Sequence, residues 1–264
     1  MNASDLRNHL PWSTCIAMTT KYEGVHDPRF SLALQTMLMA QHAQYSTVVV
    51  DGSDVFMRQL MAQMRINVFP ENRSGIGNAW RQAIKQTLQS NGGSEGKIVV
   101  LMQPEKYDVI RLISQIVMPL IDGKAEIVIA SRTEKSWDTY PIFQKVSERM
   151  ANDIYRRSLG LDFDPMFGVL AFKARVAKYF LEYDADEFGF PDTYDSYHIP
   201  PVLASQDGIG VVGVPVDFEY PSSQRELEEN NPAMRQNRIQ QRSLMTDIYS
   251  QLGSVPFGEL EHSL

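Results

Sequence analysis

Five short aliphatic runs punctuate the first half of the chain: CIAMT (15–19), STVVVD (46–51), INVF (66–69), KIVVLM (97–102) and EIVIA (126–130). Each is too short for a buried helix and is bounded by turn residues, which predicts strands. Between them the apolar positions return at helical spacing. Phe30, Leu34, Met37 and Leu38 share one face, and Ile76, Trp80, Ala83, Ile84, Thr87 and Leu88 a second; Val109, Ile113, Ile116, Val117 and Leu120 form a third. These stripes predict helices whose apolar faces belong to the core. Such alternation predicts an α/β fold, a central and mainly parallel sheet flanked by helices. Right-handed crossovers then align the C-terminal ends of the strands along one edge.

The second half breaks this rhythm. An amphipathic stretch carrying Ile142, Val146, Met150 and Ile154 precedes the strand-like VLAF (169–172). EYDADEFGFPDTYDSYH (182–198) is irregular, acidic and aromatic, and IGVVGVPVDFEYP (209–221) supplies a last strand. NGGSEG (91–96) is a surface loop by composition. From residue 222 the chain is polar with sparse apolar positions, which predicts a surface helix or lid. Without an internal repeat or a linker, the expectation is one domain over 1–221, with 222–264 packing on it.

Composition narrows the function. The 264 residues are 43% hydrophobic, enough for a substantial core. A net charge of −7 argues against a general nucleic-acid binder, yet leaves room for a local basic pocket. The single cysteine, Cys15, excludes an intrachain disulfide and a cysteine-based zinc site, and the histidines lack metal-ligand spacing. The N-terminal MNASDLRNHLPW has no signal-peptide pattern, and no window reaches the length of a membrane span. The chain therefore reads as soluble and cytoplasmic, with a peripheral membrane encounter still compatible.

In an open α/β sheet, ligands bind beyond the carboxyl ends of the strands. The predicted ends carry TTK (19–21), DGSD (51–54), ENRSGIG (71–77) and QPEK (103–106). Asp51 suits hydrogen bonds from a nucleobase or ribose, and equally suits closing a turn. NRSGIGNA opens a helix through two glycines, so its free amides and Arg73 suit an anion; a tight turn capped by Ser74 is the alternative. In QPEK, one carboxylate and one lysine are placed to meet a phosphate, a metal, a sugar or water.

The order of these segments resembles the family 2 glycosyltransferases of the GT-A fold, especially the polyprenyl-phosphate (dolichyl-phosphate) mannose and glucose synthase branch. In that family a VVIPTYNE-like strand precedes VVDDGS, then N-x-G-K-G-A-A, then a strand ending in D-x-D. Here CIAMTTKYE, VVVDGSD and NRSGIGNAW follow in the same order. AEIVIASR (125–132) is similar to the family's ADLVIGSR, and NDIYRRSLGLDFDPMFGVLAFKARV (152–176) to its pattern around D-P-x-x-G. GIGVVGVPVDF (208–218) resembles its last strand. The likeness covers roughly residues 14–220.

The resemblance implies transfer of a sugar from a GDP- or UDP-sugar to a hydroxyl or phosphate acceptor, either a small molecule or a polyprenyl phosphate. It implies a divalent cation, Mg²⁺ or Mn²⁺, against the donor's diphosphate. Position by position, Thr19 and Glu23 would lie near the base, Asp51 at the base or ribose, and Asn72 and Arg73 in the nucleotide-contacting turn. Gln103 and Glu105 stand where the family has D-x-D, which leaves Glu105 alone to hold the metal. Arg132 would meet a phosphate. Asp164 would take the acceptor's proton, with Asp192 and Asp195 as alternatives. The family lysine of G-K-G is Ile76 here. Arg225, Arg235, Arg238 and Arg242 of the C-terminal segment are placed to close over a phosphorylated acceptor, or the segment packs on a second subunit as a homodimer. The altered D-x-D also fits a non-catalytic relative that binds a nucleotide sugar or a protein.

Overall fold

Runs of Val, Ile and Leu flanked by Gly, Pro and Asp fold into strands, and the computed structural model describes residues 13–90 and 97–254. The NGGSEG loop, the N-terminal dozen residues and the last ten lie outside the described residues. The strands are β1 (Thr14–Thr20), β2 (Ser46–Asp51), β3 (Val68–Pro70), β4 (Ile98–Met102), β5 (Ile127–Arg132), β6 (Val169–Lys173) and β7 (Val211–Val216). They form one sheet in the order β3-β2-β1-β4-β6-β5-β7. All run parallel except β6, which is antiparallel to both neighbours. The reversal matters for chemistry. Met102 pairs with Val169, so the start of β6 joins the edge at which β4 ends.

Helices cover both faces, as the periodicity predicts. On one lie α1 (Pro28–His42), α2 (Val55–Gln63) and α4 (Ile113–Ile121); on the other lies α3 (Ile76–Ser90), with α5 (Ile142–Leu159), α6 (Pro200–Gln206) and the later α8 (Pro232–Ser254). The short α7 (Ser222–Asn230) leads into α8. Alternate residues of β4 divide between the two cores: Ile98, Val100 and Met102 enter one, Val99 and Leu101 the other. Cys15 is buried in β1. Among the described residues, no helix is long and apolar enough to cross a membrane.

Two elements depart from the sequence pattern. The stripe predicted on α5 faces solvent: Ile142, Val146 and Met150 are 76%, 54% and 62% exposed. The buried face instead carries Gln144, Glu148, Ala151, Tyr155 and Leu159. Hydrophobicity pointed to the wrong face because the inward partners of Glu148 are the guanidinium groups of Arg132 and Arg242. The second departure is α8. It buries Met245, Ile248, Tyr249 and Leu252 and packs along α5. A Cβ on Gly253 would lie 2.5 Å from the Ser158 carbonyl oxygen, so only glycine permits this closeness. The predicted surface lid is in part a core helix.

Candidate active site

The ends of β1 and β4, the start of α3 and the C-terminal helices enclose a cleft of about 850 Å³. Thr19, Glu23, Gln103 and Glu105 all line it, so the fold brings these four together. Trp80 and Tyr197, with ring centroids 5.6 Å apart, give it an aromatic wall that motif reading missed. The cleft continues inward past Gln103, Glu105 and Arg238 to a narrow chamber. That chamber, about 20 Å³, has room for about one water-sized group.

Lys106 stands in the chamber wall. Its ammonium donates to Gln103 Oε1 at 2.6 Å and to the Phe167 carbonyl at 2.5 Å, and it makes no ion pair among the described residues. Burial, helped by the positive charge of Arg132, lowers its pKa to about 7. Glu105 points the other way, where the Tyr22 hydroxyl donates to it at 3.1 Å.

The chamber's second wall is a buried charge network. Arg132 donates from its backbone N, Nε and Nη2 to Asp164 at 3.0, 2.7 and 2.7 Å, and from Nη1 to Glu148. Its guanidinium carbon lies 3.6 Å from the centre of the Trp137 ring. Asn152 also donates to Asp164, at 2.6 Å, and Arg242 donates to Glu148 at 2.9 Å. Burial alone would raise the pKa of Glu148, but Arg132 and Arg242 hold it at about 2. Arg132 and Asp164 thus serve each other. Neither has the free valence that meeting a phosphate or accepting a proton requires.

The alternative bases are engaged too. Asp195 is buried and accepts from the Tyr183 hydroxyl at 2.8 Å and from Thr193 N at 2.7 Å. Asp192 takes a bidentate bond from Arg81 at 2.7 and 2.5 Å, while its carbonyl accepts from Gly77 N at 3.1 Å. A Cβ on Gly77 would fall 2.0 Å from Asp192 Oδ1. The glycine of NRSGIGNA therefore admits the chain's own acidic residue, and Glu71 takes the Gly75 amide at 3.0 Å. The predicted anion-binding amides are already occupied. Asn72 and Arg73 line a separate depression on α3 with Gln82 and Lys85, outside the cleft lining. Asp51 is fully buried and organises its own turn, accepting from Thr20 Oγ at 2.6 Å and Ser53 Oγ at 2.7 Å.

A divalent cation at the end of β4 would find a single protein carboxylate, Glu105. The oxygen of Gln103 is already bound to Lys106. Among the described residues no group of three or more His, Cys, Asp or Glu could hold a metal. A cation there would rely chiefly on the substrate's own phosphate oxygens.

His198 lies in the chamber wall with Nδ1 against the Tyr249 hydroxyl. Burial and the nearby charge of Lys106 lower its pKa to about 3. Its unfolded value is near 6.5, so the neutral ring stabilises the fold fully above that pH, and this is lost as pH falls toward 3. The linked loss between pH 7 and pH 5 comes to about 2 kcal/mol. Urea unfolding at the two pH values should show it, and His198→Gln should flatten it; an unchanged slope in the variant would assign the acid sensitivity elsewhere.

The sheet order, the reversed β6 and the edge cleft are those of the GT-A fold. No known protein family and no curated protein sequence matches the chain. Solved structures do. Glucosyl-3-phosphoglycerate synthase from Mycobacterium tuberculosis in complex with uridine diphosphate is 15% identical, covering 94% of this chain and 84% of that one, with a TM-score of 0.56. The same synthase with Mn²⁺, uridine-diphosphate-glucose and phosphoglyceric acid is 15% identical over 92% and 84% of the two chains, with a TM-score of 0.54. At such identity the likeness shows the fold.

Proposed function

We propose that the chain transfers a sugar from a nucleotide-diphosphate sugar, GDP- or UDP-linked, to a small anionic acceptor. The observation that carries this is the cleft across the ends of β1 and β4, with Thr19, Glu23, Gln103 and Glu105 in its wall and a lysine and arginines beyond it. Its volume suits a nucleotide sugar. The similar structures contain uridine diphosphate, uridine-diphosphate-glucose and phosphoglyceric acid, which supports both a UDP-sugar donor and an acidic acceptor. A polyprenyl phosphate is the weaker acceptor, because Lys21, Glu23, Asp27, Arg29 and Arg238 make the cleft wall charged. Trp80 and Tyr197, both buried, give the cleft wall an apolar backing.

A second reading, a protein that binds a nucleotide sugar without transferring it, draws support from the engagement of Asp164, Asp192 and Asp195. Thermal unfolding with GDP-, UDP-, ADP- and dTDP-sugars, with and without Mn²⁺ or Mg²⁺, tests the binding that both share. A ligand at about 100 times its Kd adds about 2.7 kcal/mol, a clear rise in Tm. Mass spectrometry after incubation with 3-phosphoglycerate then separates the two, since only a transferase gives a glycosylated acid or another hexosyl product. No shift with any sugar nucleotide would sink the proposal.

A further inference from the structure

Resting on the transferase reading, we propose that Arg238 on α8 is the counter-charge for the donor's diphosphate, in the place where the resembled family uses an acid pair and its cation. Three observations converge on this residue. The end of β4 offers one carboxylate, with Gln103 spent on Lys106. Arg238 lines both the cleft and the chamber, beside Gln103, Glu105 and Gln241. Its Nε and Nη2 both donate to a single oxygen, Glu228 Oε1, at 3.2 and 3.0 Å, which leaves Nη1 outside that ion pair.

Glu228 acts as an anchor. It is fully buried on α7, and its Oε2 has no hydrogen-bond partner, so it fixes the guanidinium without saturating it. A planar guanidinium held in this way presents a charge-assisted donor to a phosphate oxygen. Lys106, one wall deeper and without a carboxylate partner, adds an amino group whose protonated form an incoming phosphate would favour. Neutralisation of the leaving diphosphate is thereby assigned to the C-terminal helix rather than to a metal-binding acid pair.

Calorimetric titration with UDP and GDP, in EDTA and in excess Mn²⁺, tests this in the full-length protein. The expected result is binding whose Kd differs by less than about threefold between the two buffers. Arg238→Gln should weaken it by about tenfold or more in both, and Arg238→Lys should recover part of the loss. Arg238→Gln/Glu228→Gln, which strands no buried carboxylate, should repeat the loss in a protein with a normal unfolding transition. Binding that requires Mn²⁺, vanishes in Glu105→Gln and tolerates Arg238→Gln overturns the inference alone. A wild-type protein that binds neither nucleotide in either buffer overturns it together with the transferase reading.

Discussion

Asp164→Asn will lower the stability of the protein by about 3–5 kcal/mol, because it leaves Arg132 buried with half of its counter-charge removed. Asp164 receives three hydrogen bonds from Arg132 and one from Asn152, at the point where the turn before β6 meets the end of β5. Denaturant unfolding reads the loss directly. A general base in this position would behave otherwise, since its amide would fold normally and lose only turnover. Replacing the pair together, as Arg132→Met/Asp164→Leu, should recover much of the stability, because well-packed apolar groups often match a buried ion pair. An Asp164→Asn variant that unfolds at the wild-type denaturant concentration would return Asp164 to the list of candidate bases.

Deleting the chain from Pro232 onward will abolish cooperative folding. The deletion strips Met245, Ile248, Tyr249 and Leu252 from the core they share with Tyr155 and Leu159. At about 1.5–3 kcal/mol for each buried side chain, the loss is roughly 6–12 kcal/mol, comparable to the whole stability of a typical domain. It also removes Arg242 from Glu148, leaving Arg132 as the one cation against that buried carboxylate. The truncated protein should show no sharp thermal transition and should bind a hydrophobic dye. A truncated protein that melts cooperatively near the full-length Tm would make α8 a detachable lid.

The strands and the inner face of α3 were legible because their residues obey one rule, that apolar side chains face the core. Thr19, Glu23, Gln103 and Glu105 were legible because each lies at or just beyond a strand end, and parallel strands bring those ends together. The rest depended on partners far away in sequence. Nothing near NRSGIGNA signals that Asp192, 111 residues from Arg81, fills its anion site. Arg238 and Arg242 stood out as basic residues one helical turn apart, but their partners, Glu228 and Glu148, lie on other helices. The face of α5 was misassigned for the same reason. Its inward side is specified by ion pairs, and hydropathy does not register an ion pair.

The inverted α5 reverses the usual rule of which replacements a helix accepts. Exchanging Ile142, Val146 or Met150 for Lys or Glu alters side chains already in water, so such variants should accumulate freely over generations. Exchanging Glu148 for Leu, a change that ordinary hydropathy favours, removes the partner of two buried arginines, and exchanging Gln144 for Leu removes an amide that donates to Glu148. Related chains should therefore drift fastest at the greasy positions of this helix and slowest at its polar ones.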